Sequence, residues 1–172
     1  MVITHSIIEK VTVLSKKLKL HNVPALVPVN GTKQYAFVEF DAKVICGIVT
    51  ATSFKYEICI DNEQIKKLHQ RLVSLVNNND IVEDCTMAII RHELRHLWQL
   101  QHDFHVGKLE GETISEIDAD KWMVNSAPSL YEKTLARYIK ALHEKQSADV
   151  LVIVEEELKK AYQSPKHKFF FF

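Results

Sequence analysis

The chain is 172 residues long, enough to bury a core as one domain, and 47% of its residues are hydrophobic against 26% charged. Its 22 basic residues balance its 22 acidic residues, which excludes an overall electrostatic attraction to nucleic acid or to an anionic membrane. No stretch approaches the roughly 20 apolar residues of a membrane span, and the first residues lack the pattern of a signal peptide.

The N-terminal part of the chain is predicted to form one helix and a small sheet. Apolar residues at helical spacing over 6–20 predict the helix, and Pro24, Pro28 and Gly31 predict a loop after it. Aromatic and β-branched residues then favour strands, the first two joined by a tight turn near Asp41. The three predicted strands are Tyr35–Phe40, Lys43–Thr50 and Phe54–Ile60.

Residues beyond position 60 are predicted to be helical. Asp61 or Asn62 caps a helix that ends at Asn77. Asp80 with Glu83 three residues later resembles a capping box for the next helix. The remaining predictions are a loop at Gly107 and Gly111, a helix over about 113–126, a helix capped by Ser129 with Glu132, and a helix over 148–163.

The segment from His92 to His96 has the HExxH pattern on one of these predicted helices. Histidines four residues apart are separated by about 6 Å along a helix axis and about 40° around it, so both rings can face one ion. Imidazole nitrogen binds zinc at about 2.0–2.1 Å. Glu93 stands beside the first histidine, where it can take a proton from metal-bound water. The apolar flanks predict a mostly buried helix, where these polar groups need a partner such as a metal.

A third ligand is predicted on the following helix. Catalytic zinc usually has three protein ligands and one open position, and Glu116 lies twenty residues after His96. On a helix Glu116 and Asp120 share one face. Glu116 can therefore complete the coordination, while Asp120 can accept the free ring N–H of a histidine ligand, His92 being the expected one.

HExxH followed by ExxxD at this interval resembles the gluzincin metallopeptidases, such as the thermolysin group. The ExxAD form at 116–120 also resembles the M48 and ImmA/IrrE-type peptidases, and the resemblance covers about residues 80–127. It implies an α+β, zincin-like fold in which a small antiparallel or mixed sheet packs on the active-site helix and its edge strand binds extended substrate. Tyr56–Ile60 is the candidate edge strand.

The same resemblance assigns roles to residues. It implies that one zinc ion is held by His92, His96 and Glu116, that Glu93 is the general base, and that Asp120 supports a ligand from outside the coordination sphere. Sites of this kind also bind manganese and other divalent ions.

One zincin-like domain is expected to span residues 1–172, with three parts. The sheet lies in about 1–80, the active-site and C-terminal helices in about 80–163, and a Phe-rich tail in 164–172. Four exposed phenylalanines would form an apolar patch. We therefore expect the tail to dock on its own domain, the substrate groove included, or on a partner.

Other residues near the motif receive different roles. His102 stands at the interval used by metzincins, but Gln99 replaces their glycine, so the helix should continue and turn His102 about 100° away from the ligands. Arg95 is expected to pair with Asp103 or Glu112. Asp118 is expected to be exposed, and His105 is not expected to be a ligand. A donor that stabilises the oxyanion is expected among Tyr131, Tyr138 and His143.

The three cysteines, Cys46, Cys59 and Cys85, are expected to be small buried residues, and the expected setting is cytoplasmic.

The sequence leaves two functions open. The first is a zinc peptidase acting on a peptide or protein. The second is a regulatory or partner-binding protein with the same fold and little general proteolysis, because some ImmA/IrrE-like proteins act on or with transcriptional regulators.

Overall fold

The computed structural model describes residues 3–45, 48–102, 108–109 and 112–163. Six helices lie in these ranges: α1 (His5–Lys17), α2 (Asn62–Val76), α3 (Ile81–Gln101), α4 (Ile114–Asn125), α5 (Leu130–His143) and α6 (Ala148–Gln163). The strands are β1 (Ala25–Val29), β2 (Ala36–Phe37), β3 (Phe40–Ile45), β4 (Ile48–Phe54), β5 (Glu57–Asp61), β6 (Lys108–Leu109) and β7 (Glu112–Thr113). The mixed α+β content agrees with the prediction. Cys46, Asp103, His105, Gly107, Gly111 and the tail at 164–172 lie outside the described residues.

The strands form three small sheets rather than the single predicted one. β5 lies between β1, which runs parallel to it, and β2, which runs antiparallel. β3 and β4 form a separate antiparallel pair, and β6 pairs with β7. The predicted turn near Asp41 is wrong, because Asp41 lies inside β3 opposite Ser53. The predicted loop at Pro28 is also wrong, since β1 is an edge strand, where proline's missing N–H costs few ladder hydrogen bonds.

The predicted edge strand Tyr56–Ile60 is wrong as well. Its residues form most of β5, the central strand of the three-stranded sheet. Ile58 and Ile60 are both 0% exposed, as expected for a strand that is paired on both sides. The edges of this sheet are β1 and β2 instead.

Most helix ends follow the predicted caps. The Asp61 carboxylate accepts hydrogen bonds from the first turn of α2, and Asn77 ends that helix in the left-handed conformation. Ser129 caps α5 by accepting from the Glu132 N–H. The capping box at Asp80 is wrong, because Asp80 makes no side-chain cap hydrogen bond. Glu83 instead binds Ser6 and Lys10 of α1, which ties α1 to the start of α3.

Helix α3 is the centre of the structure and positions the HExxH segment. It contacts α1, α2, α4 and α5, together with β2 and β5. Its fully buried residues include Ile90, Leu94 and Leu97. No helix in the described ranges combines the length and apolar character that a bilayer span requires.

Candidate metal centre

Helix α3 brings the two histidines of the motif into contact. His92 is buried and His96 is half-buried, and their Nε2 atoms are 2.9 Å apart. The rings meet edge to face with their centroids 4.6 Å apart. One helical turn separates the two residues, so this proximity follows directly from the spacing of four.

Helix α4 adds a carboxylate from the opposite side. Glu116 Oε2 lies 3.2 Å from His92 Nε2, and Glu116 Oε1 lies 3.4 Å from His96 Nε2. Ala119 and Met123 of α4 are buried at helical spacing, and this packing turns the neighbouring face that carries Glu116 towards α3. The structure therefore brings together the three predicted ligands from two helices.

Polar contacts outside this cluster indicate where the ring protons lie. His92 Nδ1 is 3.0 Å from Asp120 Oδ1, the pairing expected from the sequence. His96 Nδ1 is 2.8 Å from Gln99 Oε1. A neutral ring that donates from Nδ1 keeps a lone pair on Nε2. Both Nε2 lone pairs then face the Glu116 carboxylate.

The lone pairs of His92 Nε2, His96 Nε2 and the Glu116 carboxylate repel one another at these distances unless a positive charge lies among them. The donor set therefore fits a cation, and two imidazoles with one carboxylate are typical ligands of catalytic zinc. His92, His96 and Glu116 each offer one ligand atom within 4.8 Å of the others. This chemistry is compatible with the predicted zinc ion.

The ionisation of these groups agrees with a site that attracts positive charge. Burial lowers the pKa of His92, but hydrogen bonds to Asp120 and Glu116 outweigh it and raise this pKa to about 10. The pKa of His96 is also raised, since Glu116 and Glu93 overcome its desolvation. Burial raises the pKa of Glu116, but the two histidines outweigh it and hold this pKa far below its usual range. Without a metal ion, the cluster therefore holds positive charge in the form of a bound proton.

A cavity of about 610 Å³ opens onto the cluster. Glu93 lines it together with both motif histidines, and residues of and around β2 form another part of its wall. Glu93 is itself buried. The structure thus places the predicted base in the same cavity as the predicted ligands.

The structure also separates the three candidate oxyanion donors. His143, at the end of α5, lines the cavity and is 51% exposed, with Nδ1 3.6 Å from Asp120 Oδ2. The hydrogen bond to Asp120 raises the pKa of His143 despite partial burial. Tyr138 is 0% exposed and donates to Glu155, and Tyr131 stacks edge-on against Tyr162. Only His143 of the three is in contact with the centre.

The sequence predicts that Arg95 pairs with Asp103, which lies outside the described residues, or with Glu112, and that Asp118 is exposed; the prediction for Asp118 is wrong. Arg95 pairs with Asp118, with its Nε 2.6 Å from Oδ2 and its Nη2 3.1 Å from Oδ1. Asp118 is accordingly half-buried rather than exposed, because α4 packs this side of the helix near α3. Gln99, predicted only as helix face or core, donates to Asp118 and is bound to His96. A side chain three residues after a ligand was the available signal for it.

Other predicted non-ligands lie away from the centre. His102 is exposed at the end of α3, where its Nδ1 hydrogen-bonds the Trp98 carbonyl. Cys59 and Cys85 are free and buried, and burial raises the pKa of both thiols. Comparison with models of known protein families, with curated proteins and with solved structures gives no match to this chain.

Proposed function

We propose that this protein is a zinc-dependent hydrolase, a peptidase of zincin-like fold. One observation carries the proposal: the Glu116 carboxylate, supplied by α4, meets the Nε2 atoms of both HExxH histidines on α3. For a chance HExxH on a surface helix, nothing would bring both histidines against a carboxylate that lies twenty residues after His96 on another helix. A metal site requires this meeting.

His92, His96 and Glu116 would hold the ion. When bound, zinc supplies Lewis-acid polarisation of a carbonyl and lowers the pKa of water. Glu93 takes a proton from the attacking water and passes it to the leaving amine. His143, whose raised pKa favours its charged form, donates a hydrogen bond to the negative charge that develops on the substrate oxygen.

Strand β2 is proposed to bind the substrate backbone. One side of β2 pairs with β5, and the other side has no strand partner within the described residues. Tyr35, Phe37 and Val38 line the same cavity as the metal cluster. An extended peptide can add to such an edge through main-chain hydrogen bonds. This assignment replaces Tyr56–Ile60 as the substrate-binding edge.

The setting that we propose is cytoplasmic. Cys59 and Cys85 are both free thiols, as a reducing compartment maintains them. The partners are peptides or proteins, and nothing in the charge balance of the chain favours nucleic acid.

The experiment compares the wild-type protein with Glu93→Gln and with Glu9→Gln, a matched change at an exposed position of α1. Each is loaded with one equivalent of zinc and incubated with a mixed peptide library, and products are identified by mass spectrometry. Glu93→Gln should keep the zinc but hydrolyse at least about 100-fold more slowly, since general-base catalysis contributes roughly 10²–10⁴. Glu9→Gln should match the wild type.

Two outcomes would contradict the peptidase proposal. Unchanged hydrolysis by Glu93→Gln would remove Glu93 as the base. A wild-type protein that binds zinc, cleaves no peptide and captures one protein partner tightly would favour the regulatory alternative.

A further inference from the structure

Gln99 is a buried polar residue next to the metal cluster, and the proposed chemistry does not use it. It lies on α3 three residues after His96 and is 2% exposed. Its Oε1 atom is 2.8 Å from His96 Nδ1. A buried amide is costly unless it is hydrogen-bonded, so its partners define its orientation.

The other end of the Gln99 amide determines which way it points. Its Nε2 atom is 2.9 Å from the Ser115 carbonyl oxygen and 2.8 Å from Asp118 Oδ2. Both of these partners can only accept, so the NH₂ group must face them and the carbonyl oxygen must face His96. A flipped amide would place oxygen against two acceptors. His96 Nδ1 therefore has to be the donor, which leaves its Nε2 lone pair for a metal.

Asp118 is itself held in place. Arg95 binds both of its carboxylate oxygens, and the Arg95 guanidinium lies 3.8 Å from the centre of the Trp98 ring. Bidentate pairing of this kind restricts the carboxylate more than a single contact does. The hydrogen-bonded path from Arg95 to His96 thus begins and ends on α3, with Asp118 of α4 in its middle.

We infer that Gln99 is a positioning residue for the metal: held by Asp118 and by the Ser115 carbonyl, it fixes the proton on His96 Nδ1 and directs Nε2 towards the ion. The inference rests on the proposed metal site. The Asp120 carboxylate lies 3.0 Å from His92 Nδ1 and supports that ring in the same way. The two histidines therefore have unequal supports, one anionic and one neutral, and the neutral one avoids adding a further charge beside Glu93 and Glu116.

The test measures zinc affinity of the full chain by competition with a chromogenic chelator. Gln99→Met, similar in volume but unable to accept from His96, should bind zinc about 10–100-fold more weakly, the usual effect of losing such a support. Gln99→Glu keeps an oxygen acceptor for His96 but loses the donation to Asp118 and to the Ser115 carbonyl, so it should bind zinc more weakly than the wild type and more tightly than Gln99→Met. Gln101→Met is the matched control, because Gln101 lies on the same helix but bonds Tyr56, His21 and Lys19.

A role in packing alone predicts a different order. Gln99→Glu would place a second carboxylate beside Asp118, so a structural role would weaken zinc binding at least as much as in Gln99→Met. That order, or wild-type affinity in Gln99→Met, would overturn the inference. If Gln99→Met does not fold, Gln99→Asn replaces it, because its amide is one methylene too short to reach all three partners. Wild-type affinity in that variant also overturns the inference.

The wild-type titration separates this inference from the proposed function. A wild-type protein that binds no zinc contradicts the metal site itself. A wild-type protein that binds zinc and cleaves peptides, alongside a Gln99→Met variant of equal affinity, contradicts only the role of Gln99.

Discussion

Replacement of Glu116 by glutamine is a sharp perturbation of the proposed centre. The carboxylate is the only anionic member of the ligand set and lies 3.2 and 3.4 Å from the two ring nitrogens. Glutamine keeps the shape but loses the charge. Because losing a support outside the coordination sphere already costs about 10–100-fold, we expect the loss of this ligand to weaken zinc binding by at least about 100-fold.

The stability effect follows from this affinity. With free zinc at 100 times its dissociation constant, the wild type gains about 2.7 kcal/mol. The variant at the same zinc concentration gains only about 0.4 kcal/mol. For a chain of this size each kcal/mol shifts the melting temperature by about 2–4 °C, so the zinc-induced shift should fall from about 5–11 °C to about 1–2 °C.

Thermal unfolding with zinc and with a chelator measures this shift directly. The comparison within each variant matters, because Glu116 also stabilises the charged histidines of the metal-free protein. Glu157→Gln on α6, which affects an exposed pair with Arg137 of α5, is the control and should keep the full shift. A full zinc-induced shift in Glu116→Gln would refute the assignment of Glu116 as a ligand.

Three further predictions use the same protein. At pH 8 zinc binding should release about one proton, because His92 of the metal-free protein, with its pKa of about 10, is still charged. Calorimetry in buffers of different ionisation enthalpy measures the number of protons released, and a value of zero would contradict the prediction. Burial lowers the pKa of His69 from 6.5 to about 4. Between these two pH values the unfolded chain binds more protons than the folded chain. The free energy of unfolding of the metal-free protein should therefore fall by about 1–2 kcal/mol, allowing for screening, as the pH drops from 6.5 to about 4. Urea unfolding should show that slope in the wild type and not in His69→Gln, and equal slopes would contradict it. Glu132→Leu removes the partner of Arg91 in an ion pair whose side chains are only 12% (Glu132) and 6% (Arg91) exposed, and should lower the free energy of unfolding by about 3–5 kcal/mol. An unchanged midpoint of urea unfolding would show that the pair does not stabilise the fold.

The cluster of His92, His96 and Glu116 was predictable because its geometry is mostly local. The spacing of four fixes His92 against His96, and the same spacing puts Glu116 and Asp120 on one face of α4. Only the approach of α4 to α3 depends on distant packing, and the preference of zinc for three protein ligands anticipates it. The caps at Asp61 and Ser129 were predictable for the same local reason.

The sheet and the outer contacts were not predictable in this way. Strand order depends on pairings between distant residues, and local patterns do not encode whether β5 is central or at an edge. The choice of Asp118 for Arg95 and of His143 over Tyr138 depends on how α4 and α5 pack on α3. The sequence around Gln99 is that of an ordinary core residue, because its partners Ser115 and Asp118 lie on another helix.

Anomalous diffraction at the zinc edge from crystals of the zinc-loaded protein tests whether His92, His96 and Glu116 bind the metal. We expect one strong peak bonded to His92 Nε2, His96 Nε2 and a Glu116 oxygen at about 2.0–2.2 Å. A peak at other residues, or no peak with zinc present in stoichiometric amount, would contradict it.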